Sequence, residues 1–347
     1  MSCAGDLKPR LGISYDDYVR SQHRAINELV NGNELSRPVL MFSTERKINH
    51  QEMNVGGFAD RIKGALSGYL FGLLTNRSYF IRWERPIPLR RDFKQRKLLW
   101  QITPDVERAL AKLEMNTVDL IDIELDGARR SSFEQQLHSL AFLPKDRHVR
   151  LHTNSFMFNQ MIVGGHGQEL AAMGVEMTKE SLCFQSCFNR LFEYNPDGST
   201  AIRYQRFMSW KGRQSQVVGL QIRTGGDGDW NDPEMFSKLR WEIAAEAVEN
   251  FVRLNRLGNV GVFITTDSDE IKSKIAERLS RKLDVFYFLD RALHLERSAE
   301  NETRERAPVV ALENSLLSEC DFIVVGKGGF GTIAAWRKGR DPDVIFV

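Results

Sequence analysis

The residue whose setting most suggests chemistry is Arg223, which ends the apolar run Val217–Ile222 and is followed by Thr224-Gly225-Gly226-Asp227-Gly228-Asp229-Trp230. A strand of this kind delivers its last side chain to its C-terminal edge, and the glycines leave a guanidinium there sterically uncovered. Such a group grips phosphate oxygens through a rigid fork and can hold charge on a departing diphosphate. The plainer alternative is an arginine salt-bridged to Asp227 or Asp229 with no ligand; the glycine run favours a ligand.

Three further clusters also fall at the ends of expected strands. Gly326-Lys327-Gly328-Gly329-Phe330-Gly331-Thr332 follows the apolar run Asp321–Val325. Its G-x-G-x-x-G spacing matches the dinucleotide fingerprint, but too little chain follows for the βαβ unit that would place a ribose-binding acid. Lys327 is at the wrong spacing for a P-loop. A phosphate cradle at a helix start, with Thr332 as a hydroxyl donor, survives both objections. Gly56-Gly57-Phe58-Ala59-Asp60-Arg61 opens a long apolar helix, where bare N–H groups could meet an anion or simply make a tight turn. In Thr265-Thr266-Asp267-Ser268-Asp269, Asp267 either caps the next helix or offers a carboxylate to a guanine base.

Asp-x-Asp pairs occur at Asp227/Asp229, Asp267/Asp269 and Asp341/Asp343. Such pairs can hold Mg²⁺ or Mn²⁺ against a diphosphate, but in an acid-rich chain they are weak signals, and no metal is expected. Cys183 and Cys187 are four apart in a helical segment, poor geometry for a disulfide, and lack neighbouring zinc ligands; reduced core cysteines are expected.

These residues need a scaffold, and the strand-then-helix grammar supplies one. Pro38–Ser43, Ser78–Trp83, Val118–Leu125 and His148–Thr153 are predicted strands, with a helix from about Ala59 to Leu74. The second half alternates more regularly. Strands are predicted at Val217–Ile222, Val260–Thr265, Val285–Leu289, Asp321–Val325 and Asp343–Val347. Helices are predicted at Phe236–Leu254, Ser268–Arg281, Ala307–Ser318 and Thr332–Lys338. Ser298–Arg306 is expected to be a charged, solvated loop. The pattern implies α/β architecture with doubly wound parallel sheets, in which ligands lie outside the C-terminal ends of strands. The expected division is an N-terminal α/β domain over residues 1–206 and a C-terminal nucleotide-binding domain over 207–347.

Composition fits this reading. The 347 residues carry 42% hydrophobic and 27% charged side chains and a formal charge of +2. There is no Lys/Arg stripe of the kind nucleic-acid binding needs, so no nucleic-acid partner is expected. No apolar run is long enough for a membrane helix, and Met1–Arg10 lacks an apolar signal core, so a cytoplasmic location without a membrane span is expected.

In order and spacing the clusters resemble the fucosyltransferase superfamily, which includes the nodulation and core α1,6-, plant xyloglucan and protein O-fucosyltransferases. Gly57-Phe58-Ala59-Asp60-Arg61 with its helix resembles the family's glycine-asparagine-arginine opening, with Asp60 where asparagine is usual. Val218–Arg223 resembles the strand ending in the essential arginine, with Gln221 as in the plant branch. Arg223-Thr224-Gly225-Gly226-Asp227 is similar in spacing to the O-fucosyltransferase Arg-x-x-x-Asp. Phe263–Asp267 resembles the second nucleotide motif, and Ser318–Thr332 the third, with Gly331 and Thr332 replacing a serine-rich signature. The similarity covers about Leu40–Arg82 and Val217–Lys338.

The resemblance implies a GT-B-like pair of Rossmann-type doubly wound domains facing across a cleft. It also implies GDP-fucose as donor, no cofactor, and metal-independent inverting transfer to a sugar or protein hydroxyl. Arg223 would stabilise the leaving β-phosphate, with Asp60 and then Asp227 as candidate bases. Gly56, Gly57, Phe58, Arg61, Gln221, Asp267, Gly329, Phe330, Gly331 and Thr332 would contact the donor. The alternative is a catalytically silent GDP-sugar or glycan-binding protein on the same scaffold.

Overall fold

The computed structural model describes residues 13–48, 51–54, 56–121, 127–224, 241–289, 300–326 and 328–346. In chain order the elements begin with α1 (Tyr15–Val30), β1 (Val39–Ser43), β2 (Glu45–Ile48), β3 (Gln51–Asn54), α2 (Phe58–Leu74) and β4 (Ser78–Arg82). There follow α3 (Leu89–Asp92), β5 (Phe93–Gln95), α4 (Pro104–Leu110), β6 (Met115–Asp119), α5 (Gly127–Leu137) and β7 (His148–His152). Next come α6 (Phe158–Val163), α7 (Gly167–Ala172), α8 (Glu180–Leu191), β8 (Phe192–Tyr194) and α9 (Gly198–Lys211). The chain then forms β9 (Gln216–Ile222), α10 (Trp241–Leu254), β10 (Val260–Thr266), α11 (Asp269–Leu279) and β11 (Asp284–Phe286). The last elements are α12 (Glu300–Glu319), β12 (Phe322–Val325), α13 (Gly329–Trp336) and β13 (Val344–Ile345).

The chain divides into two compact units. The first comprises residues 1–55, 60–85 and 95–193, the second residues 56–59, 86–94 and 194–347. The second unit thus begins at Tyr194 rather than residue 207, so α9 belongs to it, and it also takes in two short upstream segments.

In the first unit four parallel strands run in the order β4-β1-β7-β6. One face buries Val39, Met41 and Phe80 against Leu29 of α1 and Val106 and Leu110 of α4. α1 starts on a capping box in which Ser14 and Asp17 satisfy each other's backbone ends. The polar stretch after β1 is a hairpin, β2 paired antiparallel with β3. Cys183 and Cys187 are buried free thiols on α8.

In the second unit five parallel strands run in the order β11-β10-β9-β12-β13. Alternation along β9 sends Val218, Leu220 and Ile222 into a core with α10 and α11. Val217 goes into the opposite core, built from Phe207 and Trp210 of α9, Leu312, Leu316 and Leu317 of α12, and Ala334 and Ala335 of α13. Helices on both faces of an all-parallel sheet make a doubly wound layer structure. From β9 the chain moves outward through β10 and β11, then returns to β12 on the other side, so the strand order reverses between β9 and β12.

Of the expected loop Ser298–Arg306, residues 298 and 299 lie outside the described residues, and Glu300–Arg306 are helical, because α12 begins at Glu300. Glutamate and arginine are strong helix formers even where no apolar stripe marks the turn. Observed strands β6, β11 and β13 are also shorter or shifted relative to the sequence reading. The expected start of α10 at Phe236 lies outside the described residues. Among the described residues no helix is long and apolar enough to cross a membrane.

Candidate functional site

The reversal between β9 and β12 matters because, in open α/β sheets, ligands bind outside the C-terminal strand ends at such a point. The two strands flanking it end in Arg223 and in the turn that begins at Gly326. They are joined there by the Gly326 N–H, which donates to the Gln221 carbonyl at 2.8 Å.

Gly328 is the residue before α13 and has φ +144°, a conformation that L side chains rarely adopt. A Cβ built on Gly328 would lie 3.9 Å from Cδ of Arg223. The guanidinium-bearing side chain and the bare backbone corner therefore adjoin within one unit. Gly329, Phe330 and Gly331 form the first turn of α13, where N–H groups have no acceptor inside the helix and the dipole favours an anion. The Thr332 hydroxyl donates back to the Gly328 carbonyl at 3.1 Å, closing the turn. Gly331 permits a close approach to β12: a Cβ there would meet Cγ1 of Val325 at 2.5 Å and Oε1 of Gln221 at 2.9 Å.

Gln221 is 5% exposed, and its Oε1 is a buried acceptor with no hydrogen bond among the described residues. Its side chain reaches the α13 face of the sheet, as the contact with Gly331 shows. A buried amide oxygen without a donor is costly, by about 1–3 kcal/mol.

Asp267 ends β10 one residue past Thr266 and reaches across to the neighbouring strand. Its Oδ1 accepts the Thr224 N–H at 2.6 Å and the Thr224 hydroxyl at 2.9 Å. This carboxylate oxygen is spent on fixing the residue after Arg223. The next helix is capped instead by Ser268, whose hydroxyl accepts the Ile271 N–H at 3.2 Å.

Gly56, Gly57 and Phe58 belong to the second unit although they precede the rest of it by many residues. Gly56 has φ +57°, and the Phe58 ring lies 6.1 Å from the Phe330 ring and 6.4 Å from that of Phe93. Two clusters far apart in sequence, Gly56–Phe58 and Gly328–Thr332, thus adjoin.

Asp60 and Arg61 belong to the first unit. The Asp60 side chain is 40% exposed and ion-paired to Lys63 at 3.5 Å. Arg61 is fully buried; it donates to the Arg85 carbonyl at 2.6 Å and stacks over Trp83 at 5.4 Å. The contact with Arg85 ties α2 to the segment after β4. Asp227, Gly225, Gly226, Asp229 and Lys327 lie outside the described residues.

Sequence reasoning missed a buried polar set behind the corner. Asn314 of α12 donates to the Phe330 carbonyl at 2.8 Å and accepts from Nη1 of Arg337 at 3.1 Å. It also missed a second set beneath β10. There Glu313 accepts the Thr265 hydroxyl at 2.7 Å and faces the buried Lys272 at 3.7 Å. The polar run Glu313-Asn314-Ser315, set between apolar Val309–Leu312 and Leu316-Leu317, was the signal available for both.

No protein-family model matches the sequence, and no curated protein sequence matches it either. Solved structures do match in shape. A mutant of Arabidopsis thaliana FUT1 in complex with GDP superposes with a TM-score of 0.62 at 11% identity, covering 94% of this chain and 77% of that one. The NodZ alpha-1,6-fucosyltransferase co-crystallized with GDP gives 0.51 at 13% identity, covering 86% and 92%. The likeness is one of fold: the chain has the mixed α/β, parallel-sheet fold of fucosyltransferase-like proteins.

Proposed function

We propose that the protein is a GDP-fucose-dependent glycosyltransferase that transfers fucose, with inversion and without a metal, to a sugar or protein hydroxyl. The observation that carries this reading is the adjacency of Arg223 and the Gly328 corner at the point where the strand order reverses. In the reaction the acceptor oxygen forms a bond to the anomeric carbon as the bond to the β-phosphate oxygen breaks. The acceptor proton passes to a carboxylate, Asp60 or Asp227, and GDP leaves with its new charge held by Arg223 and the first-turn N–H groups of α13. A fixed guanidinium and backbone dipoles do here the work that a divalent cation does in other transferases.

The reading includes a GT-B arrangement, with the second unit holding the nucleotide and the first serving the acceptor. Gly56, Gly57, Phe58 and Gln221 line the donor side. Asp267 serves it through Thr224 and contacts the nucleoside. Support comes from the fold shared with GDP-bound fucosyltransferases.

The test is a thermal-shift series with GDP, UDP and GDP-fucose, followed by assay of fucose release with excess EDTA present. GDP and GDP-fucose should raise the melting temperature by several degrees at ligand concentrations about 100 times Kd, with UDP inert. Release should survive EDTA. Stabilisation by GDP with no fucose released to acceptors or water would instead identify a silent GDP-sugar-binding protein. Equal stabilisation by UDP would overturn the donor assignment.

A further inference from the structure

The phosphate corner is held from behind by a clamp that nothing in the donor reading requires. Asn314 is fully buried in α12. Its amide N–H donates to the Phe330 carbonyl in the first turn of α13, and its Oδ1 accepts from Nη1 of Arg337. Arg337 is the residue that closes the last turn of α13, and the same Nη1 also donates to the Ser315 hydroxyl at 3.0 Å. One turn of α12 therefore grips α13 at both ends.

Burial draws the Arg337 pKa down to about 10, a sign of how far the guanidinium has been taken from water. Apolar residues of similar volume would pack the two helices together without that desolvation cost. Packing alone, however, lets a short helix roll or slide, whereas hydrogen bonds fix distance and direction together. α13 has eight residues, about 12 Å, so a small change of tilt moves its first turn by an appreciable fraction of an ångström. Binding through backbone N–H groups is sensitive to displacements of that size.

We infer that Asn314 is a positioning residue for diphosphate binding: with Arg337 it sets the direction in which the N–H groups of Gly329, Phe330 and Gly331 point. The inference rests on the reading that this corner holds GDP.

Two variants separate aiming from stability. Asn314→Asp keeps an acceptor for Arg337 and adds a charge to match it, but loses the N–H donated to Phe330. The double variant Asn314→Leu with Arg337→Met replaces the clamp by apolar packing. Both should melt within a few degrees of wild type, while calorimetry shows GDP binding weakened about 10-fold. Without nucleotide, hydrogen exchange at the Thr332–Trp336 amides, which are bonded within α13, should quicken about 10-fold, with β9 and β10 unchanged. Wild-type GDP affinity and exchange in both variants would overturn the inference, as would losses of affinity that only track losses of melting temperature. If the wild-type protein bound no GDP, the donor reading would fall, and the exchange rates would still decide for or against the clamp.

Discussion

Asp267 accepts both the N–H and the hydroxyl of Thr224 on one carboxylate oxygen, at 2.6 and 2.9 Å, and Thr224 is the residue directly after Arg223. The contact joins the ends of β10 and β9 and fixes the backbone from which the guanidinium springs. An aspartate at this place therefore acts on the backbone that carries Arg223.

Asp267→Ala should accordingly weaken GDP binding about 10- to 100-fold and lower stability by about 1–3 kcal/mol, since two donors on Thr224 lose their acceptor. Asp267→Asn retains an oxygen at the same position and should recover at least half of the lost stability. Melting curves paired with calorimetric titrations check both variants; an alanine variant with wild-type GDP affinity would remove Asp267 from the site.

The Gly331 position tests the close approach of α13 to the sheet. A methyl group there collides with Val325 and Gln221, so Gly331→Ala must push the first turn of α13 outward. We expect a destabilisation of about 1–3 kcal/mol and a loss of GDP affinity exceeding what the unfolded fraction explains. Chemical denaturation followed by ligand titration under native conditions distinguishes the two effects.

Asp92 gives a pH signature. It is buried beside Tyr194 and Asp197, and desolvation, opposed by Arg91 and assisted by Asp197, raises its pKa to about 7. The folded state thus holds this proton more tightly than the unfolded chain does. Its contribution to stability is fully present below pH ~4 and is lost as pH rises towards 7, where the buried carboxylate must ionise. Asp92→Asn should therefore stabilise the protein at pH 8, by about 2 kcal/mol, and leave it nearly unchanged at pH 4. A pH series of denaturation midpoints for the two proteins checks the sign; parallel curves would show that Asp92 does not titrate in this range.

The parts of the site legible in the sequence are those set by local chemistry. The Val217–Ile222 run reads as a strand ending just before Arg223, as β9 does, and the glycines after Gly326 read as a corner before a helix, where Gly328 precedes α13 with φ +144°. The regular alternation after residue 216 fixed the class of fold. What escaped the reading depends on contacts between distant segments. Nothing local marks Gly56–Ala59 as part of the second unit, or Asn314 as the partner of Phe330 and Arg337. Nothing local marks that Arg61 donates to the Arg85 carbonyl and lies over the Trp83 ring. The first turns of α12 escaped because a charged segment without an apolar stripe looks the same as a loop.

The most direct measurement of the central claim is turnover of GDP-fucose by the Arg223→Ala protein alongside wild type, at matched melting temperature. If Arg223 holds the charge that develops on the leaving diphosphate, release of GDP should fall about 100- to 1,000-fold while the fold persists. Turnover within a factor of about three of wild type, in a protein that melts normally, would contradict the account.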